Sequence, residues 1–199
     1  MAELSAERRE RILQAMAQCV VEEGIQGASL RKVAKRANAT TGMITHYYRS
    51  KNELIVEALR SAGSRFRQSL AAAGARPGID RLKKRFEYRF HGGGRDEEVP
   101  SWKYFLEYWA ASTRSEDLRK HHIEMSRAGT QTMREDVEEA IKAGQANPGM
   151  DSKLAADITH ALYYGLGILS TLDPENYTEE RAIAIYNTAI ERILHTDAD

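Results

Sequence analysis

Residues 29–54 read SLRKVAKRANATTGMITHYYRSKNEL, and their reading decides the fold. Ser29 is placed to cap a short helix whose inward residues are Leu30, Val33, Ala34 and Ala37. Asn38 follows where the chain must turn, a residue that tolerates left-handed backbone better than most. Thr40 caps a second helix of about two turns, with Ile44 and Tyr48 directed to the core. Ser50 and Glu53 then form an S-x-x-E capping box, which starts a third and longer helix. Between Ser29 and Lys51 stand Arg31, Lys32, Lys35, Arg36, Arg49 and Lys51, with no acidic residue among them. A helix, a tight turn and a second helix carrying charge of one sign are what a DNA-reading element requires.

Working outward, residues 5–23 predict a first helix. Ile12, Ala15, Met16, Cys19 and Val20 fall at i, i+3, i+4, i+7 and i+8 on one apolar face, and Gly24 is the expected stop. After the third helix of the reading element, spacings of three and four recur to the end of the chain and period-2 runs are scarce, so the class is all-α. Residues 71–78, AAAGARPG, are the clearest break. Helices are expected at 51–73, from Ile79 to Phe90, from Pro100 onward, and at 116–144, 152–171 and 178–195. His91, Gly92, Gly93 and Gly94 read as a loop. In the helix at 116–144 the expected buried stripe includes Leu118, His122, Met125, Gly129, Met133 and Val137, with Glu135, Asp136, Glu138 and Glu139 on the solvated side.

The 199 residues carry no net charge, which alone argues against a nucleic-acid binder, but the charge is unevenly spread. Residues 1–67 hold twelve Lys and Arg against seven Asp and Glu, a net of +5, and the remainder balances it. A basic N-terminal part on an acidic body is the asymmetry expected where one end meets phosphate. The single cysteine, Cys19, excludes an internal disulfide and is expected to be buried. The charged N-terminus is unlike a secretory signal, and the apolar run 161–172 is well short of the ~20 residues a spanning helix needs. A soluble, cytoplasmic protein is expected.

Gly24, Ser29-Leu30-Arg31, Val33-Ala34, Ala37-Asn38-Ala39-Thr40, Gly42, Ile44, His46-Tyr47-Tyr48, Lys51 and Glu53-Leu54 occur in an order and spacing that strongly resemble the N-terminal domain of TetR-family transcriptional regulators. The resemblance covers roughly residues 9–59. Ala28, Asn38 and Thr45 depart from the usual pattern. The segment Ile44-Thr45-His46-Tyr47-Tyr48 looks more like the choline-responsive repressors of betaine synthesis. The resemblance implies a three-helix DNA-binding domain at residues 1–55 and a helical effector-binding and dimerisation domain at 56–199.

Several residues are candidates for the DNA-facing surface. Thr40, Thr41, Gly42 and Met43 lie at the start of the recognition helix, where side chains meet base edges. Gly42 permits close backbone approach, and Thr41 and Thr45 offer a hydroxyl or a methyl to a base. His46 and Tyr47 follow. Ser29, Arg31, Arg49 and Lys51 are the phosphate candidates. So small a reading surface needs pairing on a palindromic double-stranded operator. The resemblance implies a homodimer through the last two helices, where Gly165 and Gly167 allow close approach. It also implies an effector cavity, for which Tyr88, Trp102, Phe105, Trp109, His122, Met125 and Tyr163 are the candidates. Aromatic faces of this kind would hold a quaternary ammonium group by cation–π contact. Each of these rings taken singly also fits ordinary core packing.

His121-His122 does not read as a metal site: neighbouring helix positions point about 100° apart, and Met125 and Ser126 stand where an i+4 ligand would be needed. No nucleophile elbow or phosphate loop occurs, so neither cofactor nor catalysis is expected. The competing class is a helical ligand-binding module or enzyme that binds no DNA.

Overall fold

The computed structural model describes residues 5–90 and 101–195, and within them the chain is all-α. The expected loop at His91 to Gly94 and the expected opener Pro100 lie outside the described residues. The helices are α1 (Ala6–Gly27), α2 (Leu30–Arg36), α3 (Thr41–Tyr47), α4 (Lys51–Ala72), α5 (Ile79–Phe90), α6 (Trp102–Ser112), α7 (Glu116–Lys142), α8 (Ser152–Leu172) and α9 (Glu179–His195). None of them is long and apolar enough to cross a membrane. Two units emerge: residues 1–67 with 97–122, and residues 68–96 with 123–199. The segment expected to bind DNA, 1–55, lies inside the first unit, and so does α6.

In the first unit the apolar face of α1 packs as its spacing predicts. Ile12, Ala15, Met16, Cys19 and Val20 are buried together with Val33, Ile44, Leu54 and Ile55. Helix α6 adds Tyr104 and Tyr108, both fully buried. Their hydroxyls do not go unmet, as burial of a polar tip requires. Tyr104 donates to the Ile55 carbonyl at 3.3 Å. The Tyr108 oxygen lies 2.9 Å from the Leu118 carbonyl and 2.8 Å from His121 Nδ1. Arg9 reaches from α1 to Glu57 of α4 at 2.6 Å, and Ser61 donates to Glu10 at 2.8 Å.

Gly24 interrupts the first helix where its stop is expected. It takes a non-helical conformation, φ 72° and ψ 169°, and a further irregular turn runs on to Gly27. The reason is local: glycine takes a positive φ at no steric cost, and that conformation breaks the helical ladder and kinks the chain there.

In the second unit Leu82 and Phe86 of α5, Met133, Val137 and Ala140 of α7, and Tyr186, Ile190 and Leu194 of α9 are all buried. The Phe86 and Tyr186 rings stack at 4.2 Å and 14°. Two expectations for α7 are corrected. His121, at the first unit's end of this helix, is the more buried of the pair, with its Nδ1 2.8 Å from the Tyr108 hydroxyl, and His122 is half-buried. Asp136 is fully buried instead of solvated. It accepts hydrogen bonds from Arg81 Nε at 2.6 Å, the Gly78 amide at 3.2 Å and Arg85 at 3.4 Å. A carboxylate leaves water on such terms only when its lone pairs are met by donors and its charge by cations.

Candidate nucleic-acid interface and effector residues

The reading head is built from caps. Ser29 Oγ accepts from the Lys32 amide at 3.3 Å and starts α2. Thr40 Oγ1 accepts from the Met43 amide at 3.1 Å and starts α3. Ser50 Oγ accepts from the Glu53 amide at 3.1 Å, and the Glu53 carboxylate reaches back to the Arg49 amide at 2.6 Å, one residue earlier than a reciprocal box. Between α2 and α3 the chain reverses through Asn38, whose φ is 49°. The Ala39 amide then bonds to the Ala34 carbonyl at 2.9 Å and the Asn38 amide to the Lys35 carbonyl at 3.4 Å, the paired bonds of a Schellman stop. Asn38 thus takes the left-handed position that glycine takes at Gly144 after α7.

These caps fix α3 with Ile44 buried beneath it and Thr41, Gly42, Thr45 and His46 exposed. Met43 and Tyr47 are half-buried, and the His46 and Tyr47 rings meet edge to face at 4.9 Å. Thr45 Oγ1 donates to the carbonyls of Thr41 and Gly42, each at 3.2 Å. Its proton is therefore committed within the helix, and outward it offers oxygen lone pairs and a methyl. At Gly42 an added Cβ would meet nothing within 4 Å, so the fold itself does not demand glycine there.

The six cations of the head divide into two groups. Lys32 is ion-paired with Glu23 and Arg36 with Glu22, which ties α2 to the end of α1. The bond to Glu22 raises the pKa of the Arg36 guanidinium and lowers that of the carboxyl. Lys51 is half-buried, with its Nζ 2.6 Å from the Ile25 carbonyl. Arg31, Lys35 and Arg49 are exposed, and no ion pair is recorded for them among the described residues. Lys35 is a cation that the sequence reading did not single out. The signal for it was available, since Arg31 and Lys35 stand at i and i+4 on one side of α2.

The effector candidates divide between the units. In the first, Trp102 is buried and Phe105, Trp109 and His122 are half-buried. The three rings of α6 form a file, Trp102 to Phe105 at 6.2 Å and Phe105 to Trp109 at 5.8 Å. His122 lies edge-on to Tyr108 at 6.1 Å, and burial lowers its pKa. In the second unit Tyr88 and Met125 are half-buried, and Tyr163 is buried with its ring 5.5 Å from Phe86. A groove of about 370 Å³ between α7 and α8 is lined by Arg127, Thr130, Arg134 and Lys153 among others, and by none of the seven candidates. Among the described residues no group of three His, Cys, Asp or Glu side chains gathers to hold a metal.

Comparison with known proteins bears on both parts. Residues 12–58 match the family described as bacterial regulatory proteins, tetR family, and residues 78–195 match the BetI-type transcriptional repressor C-terminal family, well over half the chain. The chain belongs to the TetR family. Its C-terminal domain is of the BetI type. It is therefore a DNA-binding transcriptional regulator with a repressor's role, in a family where homodimers are typical. The HTH-type transcriptional regulator BetI of Yersinia pestis (strain Pestoides F) is 29% identical over 194 residues, covering 94% of this chain and 93% of that protein. The BetI regulator of Paraburkholderia phytofirmans is 27% identical over a span of the same length. A TetR-family regulator from Rhodococcus sp. superposes with a TM-score of 0.81 at 23% identity, covering 95% of this chain and 99% of that one. A transcriptional regulator from Saccharomonospora viridis, solved in complex with choline, superposes with a TM-score of 0.80 at 21% identity over 97% of this chain and 100% of that one. These two structures share the all-α fold described here.

Proposed function

We propose that this TetR-family chain is a cytoplasmic homodimer that reads a palindromic operator with α3 and is released from it by a small cationic effector. One observation carries the DNA assignment. On a head whose apolar residues are packed, the start of α3 and the cations Arg31, Lys35 and Arg49 are left exposed. Thr40, Thr41, Gly42, Met43, Thr45, His46 and Tyr47 are the proposed base-facing and groove-lining residues. Ser29, Arg31, Lys35, Arg49 and the remaining donors of Lys51 are the proposed phosphate contacts. Residues 1–55 serve as the DNA-binding part and 56–199 as the effector-binding and dimerisation part. The chain acts by binding, without a catalytic step.

The proposed dimer surface is a face of α8. Leu154 is 57% exposed, Ile158 44% and Leu172 70%, and Leu169 shares this side of the helix. Gly165 lies among them with open space at its Cβ position. An apolar strip of this length on a surface helix is a partner's footprint. In a symmetric pair the same strip meets itself, with α9 alongside. The basic N-terminal part and the repressor family favour a second copy of the chain as the occupant, since a palindromic site demands two heads.

For the effector, the supporting features are the aromatic file Trp102, Phe105 and Trp109 with His122 in the first unit. Tyr88, Met125 and Tyr163 are the proposed contacts of the second unit. A quaternary ammonium group suits electron-rich ring faces, and the choline bound by the Saccharomonospora regulator makes choline the first probe. Binding would favour an arrangement whose two recognition helices no longer match major grooves about 34–36 Å apart.

Selection of bound duplexes from a random DNA library tests the reading. Enrichment of a palindrome is expected, with affinity falling steeply as salt rises. Recovery of no sequence preference would overturn operator recognition. An Ile158→Arg variant that stays dimeric in sedimentation would overturn the α8 interface.

A further inference from the structure

The turn at Gly24 has a second effect within the first unit. It takes the Ile25 amide out of the helical ladder, although Ile25 is only 4% exposed. Two side chains distant in sequence meet the polar groups of that one residue. Its N–H donates to Glu107 Oε2 of α6 at 3.2 Å, and its carbonyl accepts from Lys51 Nζ of α4 at 2.6 Å. The fit is close, since a Cβ on Gly24 would stand 2.9 Å from the same carboxylate oxygen. Ile25 lies just before Ala28, whose amide bonds back to the Gly24 carbonyl at 3.0 Å, and Ser29 then opens α2. The start of the reading head is thus held from α6.

Helix α6 is two-sided. Tyr104, Glu107 and Tyr108 stand at i, i+3 and i+4 and share a face. Tyr104 bonds to the Ile55 carbonyl of α4 as Glu107 bonds to Ile25. Trp102, Phe105 and Trp109 lie about 100–160° around the helix from Tyr104 at 100° per residue. A displacement of α6 imposed on the aromatic side is therefore felt by Glu107.

We infer that Glu107 is a positioning residue for operator recognition: its carboxylate fixes the bend between α1 and α2, and loss of its bond to the Ile25 amide is the step that loosens the head when an effector moves α6. The first half stands on the Glu107–Ile25 contact. The second half rests on the reading of Trp102, Phe105 and Trp109 as effector contacts.

The test uses the full chain, a labelled duplex carrying the selected operator, and choline as probe. Glu107→Ala is expected to weaken operator binding about tenfold, the equivalent of one hydrogen bond to a charged group. Binding to random duplex at low salt should stay within about twofold, because the phosphate contacts remain. Hydrogen exchange at the Ile25 amide should quicken. Glu107→Gln keeps an oxygen acceptor in place and should recover operator affinity to within about threefold of the parent. Parent-like operator affinity in Glu107→Ala overturns the inference. So does equal loss in Glu107→Gln and Glu107→Ala, which would mark a general weakening of the fold. The chain's two tryptophans, Trp102 and Trp109, both sit on α6 and report choline directly. If choline alters neither their fluorescence nor operator affinity, the effector reading fails while the positioning role is judged by the variants alone. If choline alters both and leaves Ile25 exchange unchanged, the effector reading survives and the release step is overturned.

Discussion

The ammonium of Lys51 stands 2.6 Å from the carbonyl oxygen of Ile25. That contact separates Lys51 from Arg31, although both read as phosphate cations in the sequence. Arg31→Ala removes an exposed charge that makes no ion pair among the described residues. It should flatten the plot of log affinity against log salt by about one unit and leave thermal stability unchanged. Lys51→Ala should in addition lower folding stability by about 1–2 kcal/mol, the cost of an unmet buried carbonyl. Salt titrations by fluorescence anisotropy and urea unfolding of both variants check the difference. Equal unfolding midpoints for the two would show that the Ile25 bond contributes nothing.

Gly42 lies within α3, and a methyl there meets nothing within 4 Å. Gly42→Ala should stabilise the free protein by up to about 1 kcal/mol, since alanine loses less backbone freedom in a helix. If α3 is the base-facing helix proposed above, the same methyl should weaken operator binding. Thermal melts and operator titrations moving in opposite directions are the expected signature.

Asp136 is fully buried between Arg81 and Arg85. Asp136→Ala leaves two guanidinium groups and the Gly78 amide without their acceptor. A loss of about 3 kcal/mol is expected in urea unfolding. Asp136→Asn, which keeps one acceptor oxygen and removes the charge, should fall between the parent and alanine.

His122 has a buried Nδ1 without a hydrogen-bond partner, and burial lowers its pKa below the usual ~6.5. Below that pH the unfolded chain takes up a proton that the folded chain refuses, so this contribution to stability is complete above about pH 6.5 and is lost as pH falls. His122→Leu should melt with a smaller drop between pH 7.5 and 5.5 than the parent. Parallel curves for the two proteins would place the pH dependence elsewhere.

Much of the head was legible because its signals are local. A hydroxyl caps an amide three residues on, so Ser29, Thr40 and Ser50 mark helix starts from sequence alone. Asn38 marks the turn because few other side chains accept a positive φ. The apolar face of α1 follows from the 3.6-residue period. The cations were legible as a set and not singly. Whether a lysine is free or engaged depends on carboxylates and carbonyls brought near by folding, as Glu22 and Glu23 are for Arg36 and Lys32.

The sequence by itself determined the helical class, the reading head with its caps and turn, and the one-signed charge of that segment, since spacing and composition are properties of neighbours along the chain. Only the tertiary structure decided that Asp136 is a buried ion-pair centre, that His121 is more buried than His122, and that Lys51 and Glu107 clamp Ile25 from opposite sides. Those outcomes turn on pairs separated by 13 to 82 residues. For such pairs the energetic question is which donor reaches which acceptor once water is excluded, and no local period encodes it.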